Sequence, residues 1–81
     1  MPHYSVETAK GPEEVVEEAK AFFGEGGLGL EITSETPCCI TLQGGGGHVT
    51  VTASDEEGKT QVDLETREWD YHVKRFMRQI G

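Results

Sequence analysis

Two adjacent thiols, three histidines, a run of four glycines and a small group of carboxylates carry whatever chemistry this 81-residue chain could perform. Cys39 and His48 flank the run Gly44–Gly47 and share strand parity. On a hairpin they would lie on one face, and His3 could join them from another strand. A thiolate and two imidazoles are metal donors, but no C-x-x-C or H-x-x-x-H spacing accompanies them. The expectation is therefore no bound metal and no cofactor, with Cys39, His48 and His3 as the candidate ligands if a metal is held. His72 falls on the flank of the last helix, away from that set.

Cys38 and Cys39 are neighbours, and neighbours cannot staple a fold as distant cysteines do. In a strand their side chains point to opposite faces. Cys38 reads as a small core residue and Cys39 as an exposed one. Low thiol pKa needs a nearby cation or helix N-terminus, and no Lys, Arg or His lies within six residues on either side. Free thiols without redox work are expected.

The four glycines lack the Gly-Lys-Ser/Thr ending of a phosphate loop, and a strand-like segment, His48-Val49-Thr50-Val51, follows them. They read as a hairpin or a close approach of backbones. Glu65, Glu68 and Asp70 bracket the start of a helix, where capping and dipole compensation explain carboxylates better than acid–base catalysis. No residue is assigned a catalytic role, and no enzymatic activity is expected.

Periodicity supplies the elements that must position these residues. Residues 3–9, 28–33, 38–43, 48–54 and 59–65 alternate as strands. Residues 12–23 form a helix: Pro12 suits its first position, and Val15, Val16, Ala19, Phe22 and Phe23 make one stripe. Gly24 ends it. Thr66 reads as the N-cap of a second helix from Arg67, with Trp69, Val73, Phe76, Met77 and Ile80 inward. Tyr71 points away from that stripe, beside Arg75 and Arg78. The order β-α-β-β-β-β-α, with short links, predicts a single α+β domain over 1–81. It has two layers: a five-stranded antiparallel sheet with both helices packed on one face.

The second face is then left open. Thr41, Thr50 and Thr52 occupy its middle, and acids its ends. Those threonines, together with Tyr71, Arg75 and Arg78, are the candidate interface residues. The formal charge is −8. Residues 1–66 hold thirteen acids and three bases, and residues 67–81 two acids and four bases. A nucleic-acid partner needs clustered bases and is not expected. No stretch approaches the roughly twenty apolar residues of a membrane span. Met1–Ser5 shows no basic and apolar leader, so a soluble cytoplasmic domain is expected.

The element order resembles the TBP-like and helix-grip architectures, in which an antiparallel sheet curls around a long C-terminal helix. The resemblance covers nearly the whole chain but carries no motif. The chain also looks like small prokaryotic proteins of similar size, a likeness that names no activity. Helix-grip proteins hold apolar ligands between sheet and helix. The resemblance therefore implies a lining of Leu30, Ile40, Val51, Trp69, Val73 and Phe76 for a small apolar ligand. The leading expectation is a non-catalytic binding or protein-interaction module, with a protein partner or a homodimer. A miniature helix-grip protein is the alternative, and a metal or thiol site at Cys39 and His48 the third.

Overall fold

The computed structural model describes residues 3–81. The chain runs β1 (His3–Thr8), α1 (Pro12–Phe23), β2 (Glu31–Thr36), β3 (Cys39–Gly44), β4 (Gly47–Glu56), β5 (Lys59–Arg67) and α2 (Asp70–Ile80). The strands form one antiparallel sheet in the order β1-β5-β4-β3-β2. Four antiparallel steps separate β1 from β2, so the two edges run in the same direction. α1 is the crossover that carries the chain between them. It packs on β3 and β4, while α2 packs on β5 and β1. This is the expected α+β two-layer fold, with both helices side by side on one face of the sheet.

The core follows from the two periodicities. Val15, Val16, Ala19 and Phe23 of α1 and Val73, Phe76 and Ile80 of α2 meet the inward faces of the strands. Those faces carry Ile40, Leu42, Val49, Val51, Ala53, Val62 and Leu64. Three threonines, Thr8, Thr60 and Thr66, are buried with them. Phe22 is only half-buried, and its ring stands edge-on to Phe23 at 4.9 Å.

Several boundaries move, each for a local reason. Leu28 and Leu30 precede β2 rather than belonging to it. Their N–H groups donate to Phe22 O (3.0 Å) and Phe23 O (2.8 Å), so this loop closes the end of α1. A bulge in β2 between Ile32 and Ser34 shifts its parity. Ser34 and Thr36 turn to the open face. Glu35 turns toward the helices and meets Lys20 of α1 at 3.3 Å. Cys38 lies in the β2–β3 turn and is exposed, not in the core. β5 continues to Arg67, so Thr66 is a buried strand residue, not a helix cap. Its hydroxyl donates to His48 O at 2.8 Å. α2 starts at Asp70, with Trp69 as its N-cap.

The four glycines resolve into a tight hairpin. Gly44 and Gly47 are paired strand residues, and Gly45 and Gly46 form the turn with φ of 59° and 82°. The next hairpin has the same form, but Glu57 takes the first left-handed position (φ 50°) ahead of Gly58. Asn tolerates that region far better than Glu, and Asn-Gly is a favoured pair for such turns. Glu57→Asn should therefore stabilise the chain by about 0.5–1 kcal/mol. A thermal melt checks this. An unchanged or lower midpoint would show that the turn holds no strain at this residue.

Candidate functional site

Among the described residues, no other element covers the side of the sheet away from the helices. Its side chains form rows across the strands, because residues directly opposite in an antiparallel pair share a face. The middle row runs Ser34, Thr41, Thr50, Glu65 and His3. The next runs Thr36, Cys39, Thr52, Asp63 and Ser5. Thr41, Thr50, Thr52 and Cys39 are half-buried by their neighbours alone. Their polar atoms pair across the strands: Thr41 Oγ1 to Thr50 Oγ1 at 3.3 Å, and Cys39 Sγ to Thr52 Oγ1 at 3.5 Å. Short β-branched side chains fixed in this way make a low, ordered floor. Carboxylates border it at Glu7, Asp63 and Glu65 on one side and Glu31 on the other.

A shallow groove of about 460 Å³ lies at one end of this face, beside the glycine turn. Glu31, Gln43, His48 and Arg67 line it with the backbone of Gly44, Gly46 and Gly47. His48 Nε2 lies 3.6 Å from Glu65 Oε1. The turn is braced from the other side of the sheet. Trp69 Nε1 donates to Gly44 O at 2.9 Å, and its ring lies against Gly45.

The structure does not gather the candidate metal ligands. Cys39 pairs with Thr52 and His48 with Gln43, so the two stand four residues apart along the hairpin. That is about 13 Å at strand rise. His3 is two strands away from His48, opposite Glu65. Among the described residues, no three His, Cys, Asp or Glu side chains are placed to hold a metal. The carboxylates are dispersed too. Glu65 lies on the open face, Glu68 is a left-handed residue (φ 74°) between β5 and α2, and Asp70 opens α2.

Asp70 has a role that periodicity did not reveal. Its Oδ2 accepts a hydrogen bond of 2.7 Å from the Tyr4 hydroxyl, tying α2 to β1. That bond raises the Tyr4 phenol above its ordinary value, with smaller contributions from desolvation and from the carboxylate's charge. A raised phenol stabilises the fold below the unfolded tyrosine pKa. The contribution is lost as pH climbs through the folded value.

The implied ligand lining is filled. Leu30, Ile40, Val51, Val73 and Phe76 are buried in the common core, and Trp69 packs partly buried against it. Three surface grooves are lined by other residues. A ligand between sheet and α2 would have to displace these side chains. The interface candidates divide between two sides of the molecule. Thr41, Thr50 and Thr52 lie on the open face. Tyr71, 69% exposed, lies on the outside of the helix layer, with the Arg75 guanidinium 6.0 Å from its ring. Arg78 lies beside β1, in a groove with Val6 and Met77.

Among the described residues, no helix is long and apolar enough to cross a membrane. No family model, curated protein or solved structure matches the chain.

Proposed function

We propose that this chain is a non-catalytic interaction module that receives a basic protein segment on the open face of its sheet. The observation that supports this reading is the floor formed by Thr41, Thr50, Thr52 and Cys39. It lies on the two adjacent strands β3 and β4 near the middle of the sheet, its hydroxyls are already paired, and no element among the described residues covers it. A flat floor of short side chains admits a partner without the entropy cost of freezing long ones. The border of Glu7, Glu31, Asp63 and Glu65 sets the sign of the partner, because complementary charge steers encounter and rejects like-charged surfaces. Gly45 and Gly46 keep one end of the face low.

Amide chemical shifts during titration with a lysine-rich peptide test this at low salt. The expected perturbations fall on β3, β4 and β5 and fade as salt is added. Thr50→Arg should weaken the peptide about tenfold or more by placing a long cation in the floor. The fold should be retained, since Thr50 faces solvent. Shifts spread evenly over every acidic segment, or centred on Tyr71 and Arg75, would overturn the reading. So would a Thr50→Arg protein that binds as well as the parent.

A further inference from the structure

We infer that the free edge of β1 pairs with β1 of a second copy of this chain. The pairing is antiparallel about a two-fold axis at Ser5, and it joins two five-stranded sheets into one. This is independent of the open-face reading.

Among the described residues β1 pairs only with β5, so one side of its backbone has no ladder partner there. Exposed edges are usually blunted by proline, lysine, a bulge or an inward charge. His3–Thr8 carries none of these: its register against β5 is unbroken over six residues, and its inward side chains are Tyr4, Val6 and Thr8. The opposite edge, β2, is interrupted by its bulge.

Face parity restricts the register. Directly opposite residues of an antiparallel pair share a face, so the axis must pass through a residue rather than between two. With the axis at Ser5, Tyr4 meets Val6 of the second copy on the helix side. On the open side, His3 meets Glu7. Ser5 meets itself. Tyr4 and Val6 are both half-buried at the rim of the core, and this pairing completes their cover. An axis at Val6 would set Tyr4 against Thr8 and Ser5 against Glu7, and so would form no charge pair.

The helix layer agrees with the same axis. α2 lies over β5 and β1, and neighbouring strands are about 4.8 Å apart. Two copies of α2 related by this axis would run antiparallel roughly 10 Å apart, the spacing at which helices pack. Along this edge runs an apolar groove of about 410 Å³, lined by Val6, Lys74, Met77, Arg78 and Gly81. The second helix would fill it. A second copy thus supplies an apolar complement to the groove and, on the open side, a Glu7 for each His3, although the chain as a whole is acidic.

Sedimentation velocity of the whole chain over a wide concentration range is the first test. The expected mass rises from 8.9 kDa toward twice that value as concentration increases. Val6→Lys places a charge at the groove, where its stem can reach solvent. It should weaken the dimer about tenfold or more while circular dichroism shows the same fold. Register is read by crosslinking in a Cys38→Ser, Cys39→Ser background under a mild oxidant. Ser5→Cys should give a covalent dimer, because the two positions meet on the axis. Glu7→Cys should not, because its copies lie four residues apart along the strands. A monomer at every concentration overturns the inference. So does a dimer indifferent to Val6→Lys, or equal crosslinking from both cysteine variants.

Discussion

Phe76→Ala should cost about 3–5 kcal/mol, the largest loss expected of any single substitution here. Phe76 is fully buried on α2, with ring centroids 5.5 Å from Phe22 and 5.3 Å from Phe23. Those two rings belong to α1. The three aromatics are therefore the joint between helices that otherwise rest on separate strand pairs. Truncation removes the transfer free energy of the ring and leaves a void beneath both helices. A domain of this length has a total stability of roughly 4–12 kcal/mol. The variant should consequently unfold at a much lower urea concentration, or be partly unfolded in buffer. A loss below about 1.5 kcal/mol would show that α1 and α2 are held by the sheet independently of one another.

Gly47→Ala should cost about 2–4 kcal/mol for an unrelated reason. A Cβ built on Gly47 would collide with Arg67 O and sit 2.8 Å from Glu68 Cβ. Arg67 O is backbone at the end of β5, and it cannot swing away as a side-chain tip would. The substitution must push β4 and β5 apart where the chain turns into α2. Gly46→Ala is the control. Nothing lies within 4 Å of its Cβ, but its φ of 82° disfavours any side chain, so its cost should be about 1–2 kcal/mol. Urea unfolding of the two variants separates a clash from a conformational penalty. Equal losses would show that the close approach to Arg67 relaxes freely. Amide shifts should move at Arg67 and Glu68 in the Gly47 variant, and only in the turn for Gly46.

The element order was legible in the sequence because each element carries one apolar face. Tyr4, Val6 and Thr8 alternate toward the helices, as do Val49, Val51 and Ala53. Val15, Val16, Ala19 and Phe23 recur at helical spacing. What the pattern hid was whatever breaks a period without changing residue type. The bulge at β2 leaves no compositional mark, so Glu35 reads as a turn residue although it pairs with Lys20. Leu28 and Leu30 alternate like strand residues, yet their N–H groups close α1. Thr66 has the composition of a cap, but the strand extends past it and buries it against His48 O. The same limit applies to sites. Shared parity placed Cys39 and His48 correctly on one face, but parity does not measure distance along a ladder, and four residues of register keep them apart. The bonds from Tyr4 to Asp70 and from Trp69 to Gly44 join residues 66 and 25 positions apart. No local pattern announces contacts of that range.

The irregularity in β2 has a consequence for how far assembly through β1 can go. A sheet with two regular edges adds copies without limit, and the product is a fibre. Here one edge is regular and the other is kinked, with Glu31 and Glu35 at its margin. Addition through β1 uses up the regular edge on each copy. The resulting object is closed by its own two-fold symmetry, with a kinked strand at each end. Straightening β2 by deleting Thr33 would make the molecule divalent, and turbidity or light scattering would then grow with time instead of levelling at the mass of two chains.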